Sequence, residues 1–209
     1  MTERLLSAER ADVEHSELVS SDITRDDLIV ILKGADVPID MFGQGPAKTI
    51  EHLLKEIQEG ESTLRVWPTG EILRELQVLW VDVVSEHANG DVYFLREDRQ
   101  EFKDGREDNI KRRKLEASLG EKLKPGEKPD EAVLRALEEE IGVNELTGVF
   151  QTGYSENTLT PDTYPGVPSS YKFHKYAVTI DESEFAPEGY IEDQPDKTNY
   201  YVWDKHQSE

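Results

Sequence analysis

The stretch from Gly120 to Val143 limits the possible folds more than any other part of the sequence. It opens with a turn rich in glycine and proline. Pro129 then suits the first position of a helix, because its φ is fixed and it has no N–H to leave unpaired. Apolar residues recur at helical spacing from Val133 to Ile141, and Gly142 is placed to end the helix. The pattern predicts a short helix with one buried apolar face.

The other face of this helix carries charged residues. Glu139 and Glu140 are adjacent, and Arg135 is spaced to pair with Glu131 or Glu139. Two neighbouring carboxylates suit a hard divalent ion such as Mg²⁺, which takes oxygen ligands and keeps several waters for phosphate oxygens. The helix is therefore a candidate metal site, and the alternative is a solvated acidic helix.

The segment resembles the Nudix box, usually written G-x5-E-x7-R-E-U-x-E-E-x-G-U, where U is an aliphatic residue. The residues that match it in type and spacing are Glu127, Arg135, Leu137, Glu139, Glu140, Gly142 and Val143. Two positions depart from the pattern. Glu121 stands where the box has its glycine, directly after Gly120, and Ala136 stands where a glutamate follows the arginine.

This resemblance implies an α/β fold, the Nudix-type α/β/α sandwich with a mixed sheet. Strand patterns on both sides of the box extend the similarity to about residues 62–205. We expect strands at residues 63–67, 71–84, 91–96, 110–118, 146–152, 171–180 and 199–203. The charged stretch 97–109 is expected to be an exposed loop, and substrate specificity is expected to lie in residues 97–110 and 153–170.

The N-terminal part of the sequence predicts helices instead of strands. Thr24 opens a capping pattern ahead of an apolar run that ends at Gly34. A second helical pattern begins near Pro46 and stops at Gly60. Residues 1–22 have no such pattern and predict a loosely held tail.

These patterns divide the chain into two parts. Residues 1–61 form an N-terminal tail and helical accessory segment, and residues 62–209 form the Nudix-like domain. The accessory helices must bury their apolar faces either against the main domain or against a second copy of the chain. The second arrangement would make the protein a homodimer.

The resemblance also implies a chemistry, the hydrolysis of a phosphoanhydride bond in a nucleoside diphosphate linked to another group, with Mg²⁺ or Mn²⁺ as cofactor. By their positions in the box, Glu139 and Glu140 would bind the metal and Glu127 would support it. The backbone carbonyl of Gly120 could add a ligand. Arg135 would orient the glutamates by charge-assisted hydrogen bonds. Glu127, Arg135, Glu139 and Glu140 are thus the predicted catalytic residues.

Ala136 weakens this prediction, because it removes one of three carboxylates from the family's metal cluster. Loss of a general base typically costs about 10²- to 10⁴-fold in rate. The alternative function is therefore a catalytically weak or inactive Nudix-like domain that binds a nucleotide ligand or a partner protein. Glu156 and Asp162 are candidates to replace the lost carboxylate, although such turn residues commonly make only local hydrogen bonds.

Substrate contacts are predicted from a few residues outside the box. Arg112 and Arg113 belong to the densest basic cluster of the chain, which is either a phosphate contact or a solvated strand. Glu156 is a second candidate in a later loop. Tyr164 could stack on a base, although aromatic residues near strands are more often part of a core or its rim.

Composition narrows the partners and the compartment. A formal net charge of −21 argues against broad nucleic-acid binding but leaves room for a small phosphorylated substrate. The absence of cysteine excludes disulfides and thiolate ligands. No apolar run approaches the length of a membrane span, and the N terminus lacks a signal-peptide pattern. We therefore expect a soluble cytoplasmic protein without membrane contact.

Overall fold

A computed structural model describes residues 16–103, 105, 109–112 and 117–206. Arg113, a predicted substrate contact, and residues 1–15 of the predicted tail lie outside the described residues. Within the described ranges the chain forms ten strands and three α-helices, together with short 3₁₀ helices at Ile39–Met41 and Glu182–Glu184. The predicted mixture of helices and strands is therefore confirmed, whereas the α/β/α layering stays a prediction.

The helices are α1 (Arg25–Gly34), α2 (Ile50–Gln58) and α3 (Pro129–Ile141). The strands are β1 (Glu17–Leu18), β2 (Thr63–Val66), β3 (Ile72–Glu86), β4 (Val92–Phe102), β5 (Ile110–Lys111), β6 (Leu119–Lys122), β7 (Leu146–Leu159), β8 (Ser169–Ile180), β9 (Tyr190–Asp193) and β10 (Lys197–Lys205). None of the helices in the described ranges is both long and apolar enough to cross a membrane.

The chain separates into two compact units. The first comprises the described residues up to Gln77 together with Glu156–Lys172, and the second comprises Val78–Ser155 and the described residues from Phe173 onward. The chain passes between the units within β3, β7 and β8. The predicted domain boundary between residues 61 and 62 stays a prediction, because compactness does not test which segment folds independently.

The first unit contains α1 and α2 and the antiparallel strands β1, β2 and the start of β3. Thr24 caps α1, since its hydroxyl accepts a hydrogen bond from the backbone N–H of Asp27. The second helix begins at Ile50 instead of near Pro46, because Thr49 and His52 form the cap. The apolar core of the first unit is formed by Ile23, Leu28, Leu32, Val37, Ile50, Leu53, Ile57, Leu64, Ile72, Tyr164 and Val167.

A buried carboxylate, Glu56 on α2, organises the polar part of this core. One of its oxygens accepts from Arg74, at 2.5 Å. The other accepts from the hydroxyl of Tyr164 at 2.8 Å and from Lys48 at 2.9 Å. The guanidinium of Arg74 also lies over the Tyr164 ring, 4.9 Å from its centre. Tyr164, predicted to contact substrate, is therefore a core residue with 1% of its surface exposed.

Replacing Glu56 by glutamine should destabilise the protein by about 3–5 kcal/mol, because the buried Arg74 guanidinium would lose its counter-charge. Chemical denaturation of the two proteins measures the difference in the free energy of unfolding. The matched control is Glu59→Gln at the C-cap of the same helix, where an exposed pair with Lys55 at 3.7 Å is lost. That change should cost less than about 1 kcal/mol. Equal losses in both variants would contradict the structural role of Glu56.

Antiparallel pairs join strands β3, β4, β6, β9 and β10 in the second unit. Strands β3 and β4 form the predicted hairpin, β4 pairs with β10, and β10 pairs with β9. Strand β6 pairs with the second half of β3. The apolar face of α3 packs on this sheet, and the buried core contains Leu79, Val81, Val83, Leu95, Leu119, Leu123, Ala132, Val133, Ala136, Leu137, Ile141, Val143, Tyr176, Val178, Ile180 and Tyr201.

The prediction of an exposed loop at residues 97–109 is wrong for the first part of this range, because β4 continues to Phe102. Its inward residues there are polar, Glu97 and Gln100, so hydrophobic alternation gave no sign of a strand. A β-bulge also interrupts the alternation of inward and outward residues along the strand. Glu97 lies opposite Tyr201 and Arg99 opposite Tyr200, which leaves Asp98 as the extra residue.

Two further differences concern strand lengths. β7 runs to Leu159 and β8 begins at Ser169, so much of the expected loop at residues 153–170 is strand. Most residues of β7 are exposed, which removes the alternation on which a strand prediction depends. β9 was not predicted, since it has only four residues and a half-exposed pattern.

Candidate active site

Arg135 joins α3 to the turn that precedes it. Its guanidinium donates to both carboxylate oxygens of Glu127, at 2.7 and 2.9 Å, and to the backbone carbonyl of Lys122 at 3.0 Å. A further nitrogen donates to Glu139 at 2.9 Å. The backbone N–H of Lys124 completes the arrangement by donating to Glu127 at 2.8 Å. The arginine therefore fixes the turn on the helix, and hydrogen bonding from it holds the pKa of Glu127 below its usual range.

Glu139 belongs to the same ion-pair cluster. Its two oxygens are 2.9 Å from Arg135 and 3.2 Å from Lys124, and half of its side chain is exposed. Partial burial opposes ionisation, but the hydrogen bonds from Arg135 and Lys124 outweigh it and lower the pKa of Glu139. The carboxylate is thus ionised and already has two cationic partners.

Glu140 lies in the opposite environment, although it is the next residue on the helix. Only 8% of it is exposed, and the hydroxyl of Tyr201 donates to its Oε2 at 2.6 Å. Its Oε1 is buried and has no hydrogen-bond partner. Burial raises the pKa of Glu140 to about 8, and the negative charges of Glu121 and Glu192 act in the same direction.

A small polar cavity of about 110 Å³ lies beside Glu140. It is lined by Glu97, Ser118, Gly120, Glu121, Glu140, Glu192, Gln194, Lys197, Asn199 and Tyr201. Its walls contribute four carboxylates and one amine. The volume corresponds to about three or four water molecules. The cavity therefore suits a small cationic or hydrated guest.

Three amide side chains form a chain of hydrogen bonds that leads to Glu192, two of them on neighbouring strands and one in the connection between β9 and β10. Asn199 on β10 lies opposite Gln100 on β4 and opposite Glu192 on β9. Gln100 donates to the Asn199 carbonyl at 2.9 Å, and the Asn199 amide donates to Glu192 at 2.5 Å. Gln194 donates to the other oxygen of Glu192, at 2.5 Å. Sequence reasoning missed these residues, because only the strand register places them on one face.

The cavity fits a hard cation on the chemistry of its walls. No three His, Asp or Glu side chains of the described residues form a ready-made metal cluster. Mg²⁺, however, is commonly held by one or two carboxylates and keeps the rest of its shell as water. Tyr201 and Lys197 stabilise the charge of Glu140 only in part, and its buried Oε1 is left without a hydrogen-bond partner. A divalent cation beside it would satisfy that oxygen.

The predicted site residues fall into two groups. Gly120 and Glu140 line the cavity, whereas Glu127, Arg135 and Glu139 form the adjoining ion-pair cluster. The structure thus separates carboxylates that the motif places side by side.

The predicted substrate contacts lie elsewhere. Arg112 is exposed and is paired with Asp98 at 2.5 Å. Glu156 is an exposed residue on β7, and Asp162 lies in an exposed turn. Both acids and Tyr164 belong to the first unit, whereas all residues that line the cavity belong to the second.

Glu140 should make stability depend on pH in the absence of divalent ions. The folded protein keeps its proton up to a pKa of about 8, whereas a carboxyl in the unfolded chain releases it near 4.5. Stability is therefore lost as the pH rises from about 4.5 to 8, by on the order of a few kcal/mol. Glu140→Gln should remove this loss.

Urea denaturation in EDTA across that pH range measures the effect. The advantage of Glu140→Gln over wild type should grow towards pH 8 and level off above it. Glu138→Gln, an exposed neighbour on the same helix, is the control and should leave the profile unchanged. A constant difference between Glu140→Gln and wild type at all pH values would rule out a buried ionisation.

Comparison with known proteins adds a family match. The model of the NUDIX domain matches residues 81–203 of the chain. A search of curated proteins found no match.

Solved structures similar to the chain were also found. A MutT/nudix family protein from Enterococcus faecalis has 14% identity and a TM-score of 0.41, and the match covers 65% of this chain and 45% of that one. This chain thus spans less than half of the length of that protein. The NUDIX domain of Shewanella oneidensis NrtR, complexed with ADP ribose, has 13% identity and a TM-score of 0.38, covering 62% and 71%. The C. elegans Ap4A hydrolase has 14% identity and a TM-score of 0.34, covering 61% and 78%.

Proposed function

Because the chain belongs to the Nudix family, we propose that it is a hydrolase that uses Mg²⁺ or Mn²⁺ to cleave a phosphoanhydride bond in a nucleoside diphosphate-linked or related small molecule. The observation that carries the proposal is the buried carboxylate of Glu140, whose Oε1 has no partner beside a cavity walled by carboxylates. A site of this charge favours a divalent cation, and a bound cation attracts the phosphate oxygens of a substrate.

Glu140 and the backbone carbonyl of Gly120 would hold the cation, as both residues line the cavity. When bound, the ion lowers the pKa of a coordinated water and neutralises charge that develops on the phosphate oxygens. Tyr201 keeps Glu140 in place through its 2.6 Å hydrogen bond. Glu139 is the second carboxylate of the box and can join the ion only by giving up its ion pairs with Arg135 and Lys124.

The proposed role of Arg135 and Glu127 is to fix the position of the backbone next to the site. Their two hydrogen bonds lock the turn that follows β6, the strand whose Gly120 and Glu121 line the cavity. Lys197 supplies an amine in the same wall, where it is available to a phosphate oxygen. The chain's net charge of −21 favours small phosphorylated substrates over nucleic acid.

Binding without turnover is the second candidate function. Two observations favour it. Ala136 brings no carboxylate to the site, and Glu139 already forms ion pairs with Arg135 and Lys124. Such a domain would hold a nucleotide-type ligand, or a partner protein, without cleaving it. A homodimer and a cytoplasmic location also stay predictions; light scattering of the purified protein tests the first.

Hydrolysis is tested with a panel of nucleoside diphosphate derivatives in the presence of Mg²⁺ or Mn²⁺, with phosphate-ester products separated by chromatography. Wild type should cleave at least one compound. Glu140→Gln should lower the rate by about 10²-fold or more, since it removes the charge that holds the ion. Glu138→Gln, which changes an exposed residue of α3, should retain the wild-type rate.

The two candidate functions give opposite results in this assay. If wild type cleaves nothing but calorimetry detects binding of one compound, the protein is a binding domain. Equal rates for wild type and Glu140→Gln would mean that any observed hydrolysis does not use this cavity.

A further inference from the structure

Ala136 leaves the Nudix box one carboxylate short, and we propose that Glu192 on β9 supplies a replacement, so that Glu140 and Glu192 together seat the divalent cation. The inference deepens the proposed function and rests on it. It differs from the motif-based expectation, in which Glu139 and Glu140 form the pair. In the alternative, Glu192 binds no cation and only links β9 to β10 through its hydrogen bond with Asn199.

Glu140 and Glu192 meet at one cavity. Both line the space of about 110 Å³, and α3 lies against β9. Glu140 brings an oxygen that is buried and unpartnered. Both carboxylates border the same small space, so their negative charges repel each other across the cavity when both are ionised. A cation between them would reverse that repulsion.

Hydrogen bonds fix the position of the Glu192 carboxylate, as is usual for a metal ligand. The amides of Asn199 and Gln194 each donate to one of its oxygens at 2.5 Å, and Asn199 is itself held by Gln100. An ionised carboxylate has about four lone-pair sites, so two amide donors leave acceptor capacity for a cation. The fixed amides also remove the entropic cost of positioning the side chain on binding.

Glu139 and Glu121 are less suitable than Glu192 as the partner of Glu140. Glu139 does not line it and is engaged by Arg135 and Lys124. Glu121 accepts from the backbone N–H of Lys122 at 3.0 Å and lies 3.8 Å from Arg135. Two carboxylates with a partial water shell are a common arrangement for Mg²⁺. Glu140 and Glu192 therefore suffice without a third.

Binding of Mn²⁺ alone to the full chain tests the inference without relying on turnover. Calorimetry, or the loss of the free Mn²⁺ electron paramagnetic resonance signal, gives the affinity at about 0.15 M salt, which screens weak binding to the acidic surface. Glu192→Gln should weaken the tightest site about tenfold or more, as should Glu140→Gln. Glu188→Gln, an exposed carboxylate just before β9, makes the same charge change and should bind like wild type.

A second variant separates loss of a ligand from loss of folding. Gln194→Ala keeps the Glu192 charge but removes one of the amides that hold it, and should weaken Mn²⁺ binding several-fold while the thermal unfolding temperature stays near that of wild type. Weakened binding in Gln194→Ala supports the inference even where Glu192→Gln is unstable. Unchanged binding in a folded Glu192→Gln overturns it.

The outcomes also separate this inference from the proposed function. If wild type binds Mn²⁺ and hydrolyses a substrate, and Glu140→Gln alone is impaired, only the role of Glu192 is wrong. If wild type binds no more Mn²⁺ than Glu140→Gln does and cleaves nothing, the cation site and the proposed hydrolysis both fall.

Discussion

The contact between Arg135 and Glu127 holds the candidate site together. Two parallel hydrogen bonds, at 2.7 and 2.9 Å, fasten the turn before α3 to the helix, and a third reaches the Lys122 carbonyl. Such a bidentate pair fixes orientation as well as distance. That third bond holds the end of β6, the strand whose Gly120 and Glu121 line the cavity. Without this contact, the helix would still be packed by its apolar face, but the turn between β6 and α3 would lose its anchor.

Helix register then gives adjacent residues contrasting chemistry. Glu139 and Glu140 differ by one position, or about 100° around the helix axis. One carboxylate turns to Arg135 and Lys124 and is ionised, whereas the other turns to Tyr201 and is buried with a raised pKa. Tertiary surroundings thus decide the roles of two residues that are chemically identical in the sequence.

Much of the helix and of its motif could be predicted from the sequence, because Pro129, the apolar spacing and Gly142 are local signals. The strand residues at and beside the cavity could not be predicted from the sequence. Gln100, Asn199 and Glu192 share a face only through pairing between strands that are distant in the chain, and polar inward residues leave no hydrophobic pattern. The burial of Tyr164 has a similar origin, since its partner Glu56 is 108 positions away.

The bulge in β4 has a consequence for the charge of the cavity. In a regular ladder that continued from the pair Glu97 and Tyr201, Arg99 would stand opposite Asn199 and face inward. The extra residue, Asp98, moves Gln100 to that rung, and the Arg99 guanidinium lies instead over the Tyr200 ring, 3.7 Å from its centre. One additional backbone unit thereby places a neutral amide, instead of a guanidinium, against Asn199 in the wall of the acidic cavity.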